Sequence, residues 1–420
     1  MCVSVTGLCH ALNRPSRGIS EMLYRGSMEA MPKMETMPKI VLALALIAAA
    51  PAFGQTFKVD PVASPAGASS LQANWSVTPS GDPLLSWVEI GKDDSASLRY
   101  AIRHGNAWSA PQTIASGRHF FRHPAELPEV FALTGGTFIA HWIEMPEGAD
   151  DAEYVYVSAS KDGKTWSAPA MANKDKSPHQ HGLAAMIESG NGEASIFWLQ
   201  ALKGEDFPAT LMRTVVTADG KATKEETLDP NVCTCCPTSV VKTGRGLLVA
   251  YRGNTADSIR DINVLRFENG KWLPSKNVYA DKWKIDACPT NAAVAAAKGD
   301  NVAIAWYTAA GDKPRVEVAF SSDAGTTFGK PAIVNTTRSD GYASTALDDD
   351  GSAIVSWLEQ GGGATRVMVR RVSANGVLGA PVQVAQGTRM DLGYPRLLHG
   401  GSDTWIAWGN TKVQTARLAK

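Results

Sequence analysis

From about residue 71 the chain repeats one phrase: a small-residue turn, a short run of alternating apolar positions, then an aromatic residue. PLLSWVE, TFIAHWIE, ASIFWLQ, GLLVAYR, VAIAWYT, SAIVSWLE and DTWIAWG set Trp87, Trp142, Trp198, Tyr251, Trp306, Trp357 and Trp408 in register, at spacings of 55, 56, 53, 55, 51 and 51 residues. Alternation with a period of two predicts strands. A repeat near fifty residues with several strands in each copy predicts like units arrayed in one domain. Each unit resolves further. One strand precedes the aromatic one across a Gly/Asp turn, as in LAAMIESGNGEASIFW; a third follows, as in YVYVSAS and VEVAFSS; a short fourth closes the unit, as in PAIVN. The expectation is an all-β chain, a single β-propeller of four-stranded antiparallel blades, seven by the count of aromatic strands. The seven rings are expected in the core. The last unit shows only three strands, YPRLLHG, DTWIAWG and VQTARLAK, and a strand near Thr56–Val62 would supply the fourth and remove an open edge.

The turns after the third strands carry a second signal. SKDGKTW (160–166) and SDAGTTF (322–328) follow the pattern Ser-x-Asp-x-Gly-x-Thr-aromatic with one position altered or dropped, and RHGNAW (103–108) and FENGKW (267–272) are looser copies. An Asp side chain accepts the turn N–H groups, Gly supplies a positive φ and the aromatic tucks under the neighbouring strand. These are Asp-box repeats, and over roughly residues 71–420 the chain resembles the sialidase-like (BNR, Asp-box) propeller superfamily. That resemblance implies six blades, the usual sialidase number, where the repeat count gives seven.

Composition narrows the setting. Lys and Arg number 41 and so do Asp and Glu in 420 residues, with no long like-charge block. Neither a nucleic-acid surface nor a polybasic membrane anchor is expected. The one strongly apolar run, IVLALALIAAA at 40–50, is short for a bilayer span, follows Lys39 and ends in AFG before Gln55. It reads as a signal peptide cleaved after Gly54. Residues 1–54, with Cys2 and Cys9, then form an upstream extension and leader, 55–70 a lead-in with the closing strand, and 71–420 the propeller. The mature protein is expected to be exported, periplasmic or extracellular, monomeric and without a membrane anchor, with four cysteines that by default pair.

Strand alternation sorts the remaining chemistry. In a four-stranded antiparallel blade, the loop between strands two and three shares a rim with the link into the next blade, and the Asp boxes lie on the other rim. FFRHP (120–124), SPHQHG (177–182), VCTCCPT (232–238), DACPTN (286–291), SDGYA (339–343) and DLGYPR (391–396) enter innermost strands there. Glu89, Glu144, the loop YRGNTADSIRD and Glu359 leave strand two on the same side. Cys233, Cys235, Cys236 and Cys288 admit three readings: two disulfides, a soft-ligand metal site for copper or zinc with His181, or a redox dithiol at Cys233 and Cys236. Arg252, Arg260, Asp261, His181 and Lys284 are candidates for binding a ligand. Equivalent positions in adjacent blades place Cys236 and Cys288, which both open Cys-Pro-Thr, as near neighbours.

The superfamily resemblance implies what a sialidase would need: three arginines on the substrate carboxylate, a tyrosine nucleophile paired with a glutamate, and an aspartate acid/base. Arg122 in FFRHP lies in a frame like the family's first arginine. Arg252 or Arg260, then Arg396, could follow, with Tyr394 as nucleophile, Glu144 and Glu359 as spare carboxylates, and Tyr342 and Asp261 as further catalytic candidates without a role. No motif assigns these roles. The reading is therefore a sialidase-like propeller that binds a small-molecule, glycan or metal ligand at a Cys/His/Arg-lined mouth, no catalysis being assigned. A glycoside hydrolase and a disulfide-stapled scaffold are the alternatives.

Overall fold

Alternation becomes burial wherever a strand has one wet face, and continuous burial wherever both faces are covered. In Ala96–His104 buried and partly exposed residues alternate along most of the strand, whereas Pro83–Ile90 is buried over its first six residues. The computed structural model describes residues 57–148, 152–190, 192–201 and 208–419, all within the compact unit Phe53–Lys420. The leader reading at 1–54, with Cys2 and Cys9, lies outside the described residues. Within them, no helix is long and apolar enough to cross a membrane.

The described strands assemble into seven antiparallel sheets, taken from consecutive stretches of chain, an arrangement consistent with a β-propeller. Their first strands are Ser70–Val77, Glu129–Ala132, His181–Gly190, Ser239–Thr243, Ala293–Lys298, Ser339–Leu347 and Arg396–Gly400. Each first strand packs against the next, and the seventh returns to the first. Side chains stitch these strands together: Ser239 Oγ accepts from Ala295 N at 3.1 Å, and Ser344 Oγ from Leu397 N at 3.1 Å. The seventh sheet is completed from the other end of the chain, because Lys58–Val62 pairs antiparallel with Gln414–Ala419, and Arg417 binds Asp60 at 3.1 Å.

All seven in-register aromatics fall on second strands, and each is at most 6% exposed. They fill the seams between sheets. Trp198, for example, packs with Ile139, Val155 and Val157 of the preceding sheet, and Trp306 with Leu248, Ala250 and Val264. Full burial of such a side chain contributes on the order of 3 kcal/mol.

The Asp-box turns hold the opposite rim. Asp162 accepts from the N–H groups of Thr165 at 2.7 Å and Lys164 at 2.8 Å, and these bonds keep its carboxyl far below the ordinary range. Gly163 has φ +69° and sits where a Cβ would meet Tyr100 and Phe138, while the Tyr100 hydroxyl donates to its carbonyl at 2.7 Å. Two turns of the same kind have no Asp-box signature in the sequence. Gly220 N donates to Thr217 O and Gly376 N to Ser373 O, each at 2.8 Å, and both glycines have positive φ. TADG and SANG keep the short acceptor and the Gly but lack the aromatic.

Candidate functional site

Two loops meet on the rim that carries the links between sheets. Residues 233–238 enter the fourth sheet and 286–292 the fifth. The cysteines are bonded as Cys233–Cys236 within the first loop and Cys235–Cys288 across the two, with Cα–Cα distances of 5.7 and 6.0 Å. Cys288 is therefore not bonded to Cys236, its counterpart in the repeat. Cys235 lies in a turn and is bonded to the neighbouring loop through Cys288, whereas Cys236 turns inward, 1% exposed. The two bridges are close together, with Cys233 Sγ 3.9 Å from Cys235 Sγ. Cys233 is buried, Cys235 half-buried and Cys288 exposed.

Beside Cys288 opens a cavity of about 580 Å³. Its wall is polar, with Asn231, Thr234, Asn254, Arg260 and Asp286 among the lining residues. The wall is held by backbone bonds between the Gly253–Asp261 loop and the segment after Lys282: Arg260 N donates to Trp283 O at 2.8 Å and Ile285 N to Ser258 O at 3.0 Å. Arg260 reaches Cys233 Sγ with Nη1 at 3.4 Å, and its buried Nε has no hydrogen-bond partner among the described residues. Burial lowers its pKa, and the Asp286 carboxylate works against that shift. A cation set between a polar cavity and a buried disulfide, with one donor unused, is the most chemically suggestive side chain on this rim.

The other candidates are occupied elsewhere. Arg252 is 1% exposed and donates to three backbone carbonyls: Arg260 O at 2.7 Å, Tyr307 O at 2.7 Å and Asn291 O at 3.4 Å. It also lies over the Trp283 ring, 5.0 Å from its centroid. Burial lowers its pKa to about 10. Its donors join three backbone segments, which makes it a structural pin. Asp261 accepts from Trp283 N and Lys282 N, each at 3.0 Å, which ties the same turn together; burial raises its pKa against those bonds. Lys284 is exposed and bridges Ile259 through the backbone.

His181 is held by neighbours of its own. It is fully buried, with Nδ1 at 3.0 Å from Glu153 O and 2.9 Å from His179 O, and Nε2 3.4 Å from Asp175. Among the described residues, Cys233, Cys235 and Cys236 have sulfurs close enough to share an ion, and His181 is not in that group. With the thiols bonded in pairs, the thiolates that a copper or zinc site needs are absent from the oxidised form.

The sialidase roles fare no better. Arg122 makes a two-point ion pair with Asp94, at 2.7 and 3.2 Å. Arg396 donates to Asn74 Oδ1 at 3.1 Å, and burial lowers its pKa. Tyr394 is buried, its hydroxyl bonded to Thr290 O and its pKa driven far up by burial and by Tyr342 beside it, 4.2 Å between rings. Tyr342 is likewise pushed up by burial. Both shifts run opposite to what activates a phenolate nucleophile. The spare carboxylates Glu144 and Glu359 accept from Trp142 at 2.6 Å and Trp357 at 2.9 Å, and Glu89 likewise accepts from Trp87 Nε1 at 3.1 Å. Residues two apart on a strand share a face, so the Trp-x-Glu spelling in PLLSWVE, TFIAHWIE and SAIVSWLE was the available signal for these pairs.

No family model matches the chain, and no curated protein does. Solved structures share its fold. The BP39L lectin of Burkholderia pseudomallei aligns with a TM-score of 0.56 at 12% identity, over 84% of this chain and 97% of the lectin. A PL25 ulvan lyase, solved bound to -[GlcA(1-4)Rha3S]-, aligns with a TM-score of 0.52 at 10% identity, over 87% of this chain and 95% of the lyase. A Hadza microbial sialidase aligns at 0.47 and 13%, over 77% of this chain and 73% of its own. At these identities the likeness is one of fold.

Proposed function

We propose that this chain is an exported, seven-bladed, sialidase-like propeller that binds a polar small molecule or glycan in the cavity over its fourth and fifth sheets. The carrying observation is the cavity itself: about 580 Å³ with a polar wall, Arg260 at its edge and a disulfide at its side. A polar pocket with one fixed cation suits a hydroxylated or anionic ligand. The cross-loop disulfide and the Arg252 pin hold the wall in place before a ligand arrives, which reduces the ordering cost of binding. Two propellers of this fold are a lectin and a polysaccharide lyase by name, so glycans, uronic and sulfated ones first, are the class to screen. The bonded state of the cysteines favours export to an oxidising compartment.

Glycan-array binding followed by titration calorimetry tests the reading. Arg260→Ala is expected to weaken the best binder at least tenfold, and Arg122→Ala to leave it unchanged. The reverse ranking places the site elsewhere on the rim. A fluorogenic sialoside is expected to stay uncleaved; release of sialic acid would restore the hydrolase alternative.

A further inference from the structure

The two disulfides are arranged unlike a pair of independent staples. One is buried and lies within a Cys-x-x-Cys stretch, the other ends on an exposed residue, Cys288, in the cavity wall, and a cation touches the buried one. We propose that Cys235–Cys288 and Cys233–Cys236 form a thiol–disulfide relay that takes electrons from a dithiol docked in the cavity.

Position supplies the direction of transfer. Cys288 is exposed and lines the cavity, so it is the end of the bridge that a partner thiolate approaches. Cys233 and Cys236 are 0% and 1% exposed, so no partner reaches them directly. The gap between the bridges is 3.9 Å, from Cys235 Sγ to Cys233 Sγ, close to the contact distance from which a thiolate attacks. Arg260 Nη1, 3.4 Å from Cys233 Sγ, stabilises the negative charge spread over the exchanging sulfurs.

The steps balance. One thiolate of the dithiol attacks Cys288 Sγ; the Cys235–Cys288 bond breaks, a mixed disulfide forms at Cys288, and Cys235 leaves as a thiolate with the bonding pair. Cys235 then attacks Cys233 Sγ; the Cys233–Cys236 bond breaks, Cys233–Cys235 forms, and Cys236 leaves and takes a proton. The dithiol's second thiol attacks its own sulfur in the mixed disulfide and frees Cys288 as a thiol. Two electrons and two protons pass to the chain, which ends with thiols at Cys236 and Cys288 and one disulfide, while the dithiol ends oxidised. The inference needs no glycan and stands apart from the ligand reading.

The test is thiol mapping on the folded, oxidised protein. One molar equivalent of dithiothreitol, a rapid alkylating quench and peptide mass spectrometry are expected to find label on Cys236 and Cys288. Label on Cys235 and Cys288 would mean that the outer bridge opens and the inner one ignores it, which overturns the relay. No label on folded protein would overturn it too. A second arm uses Cys288→Ser, which starts with one free thiol. The relay predicts that label divides between Cys235 and Cys236, and label on Cys235 alone refutes it. Should that variant fail to fold, the wild-type arm decides. Arg260→Gln is expected to slow label appearance at Cys236 without changing its final position.

Discussion

Trp357 and Glu359 stand two residues apart on one strand and face the same way, so the indole N–H donates to the carboxylate at 2.9 Å within a fully buried seam. Arg366 reaches the same carboxylate at 3.1 Å, and Thr336 also donates to it. Glu359→Ala leaves a buried N–H and a half-buried guanidinium unmatched. It is expected to cost about 3 kcal/mol of unfolding free energy, read by urea denaturation; a loss below about 1 kcal/mol would mean that water replaces the carboxylate.

Arg252→Met removes the donors on three backbone carbonyls while roughly keeping the volume. About 3 kcal/mol of destabilisation is expected, together with broadened signals or faster amide exchange at Arg260, Asn291 and Tyr307. Unchanged exchange at those residues would show that the pin is dispensable.

Tyr394→Phe tests whether that hydroxyl is a structural group. Losing one bond to the Thr290 carbonyl is expected to cost about 1 kcal/mol, and glycan binding should persist. Abolished binding with intact stability would return Tyr394 to the site.

Glu317 gives a pH dependence with a definite sign. Burial pushes its pKa up to about 7 from an ordinary 4.5, against the bond from Arg315 and with Asp281 nearby adding to the rise. Between these values the folded state holds a proton that the unfolded state has released, so stability falls as pH rises through that window. Glu317→Gln keeps an acceptor for Arg315 and is expected to flatten the slope of melting temperature against pH between about 4.5 and 7. A slope as steep as that of the wild type would assign the proton to another group.

Much of the architecture was legible because it follows from periodicity. The aromatic register, the second strands and the two strong Asp boxes depend on local alternation and turn chemistry, which sequence spells directly. The rim was harder to read. Arg122, Arg252, Asp261, His181 and Tyr394 do lie on loops or strand ends that face it, but a polar loop side chain answers first to the unpaired backbone groups around it. Arg252 found carbonyls from three separate segments, and no spacing rule anticipates that. The cysteine pairing turned on which of two adjacent residues faces the next loop, a matter of one peptide's rotation. Arg260 kept its candidacy because its neighbours left one of its donors unused.

Deleting residues 58–62 is expected to cost several kcal/mol by stripping the seventh sheet of its outer strand and exposing an edge. The deletion should also raise light scattering on refolding; an unaltered melting temperature would mean that the edge strand contributes nothing.

The pairing of Lys58–Val62 with Gln414–Ala419 joins residues more than three hundred positions apart. Closing so long a loop is slow and comes late, after each sheet has gathered its own local strands. During synthesis, the strand made first waits for the strand made last. Until that meeting both carry unpaired backbone edges, so the interval between them is when the chain is most open to sticking to a copy of itself, and when a chaperone holding the early strand would help most.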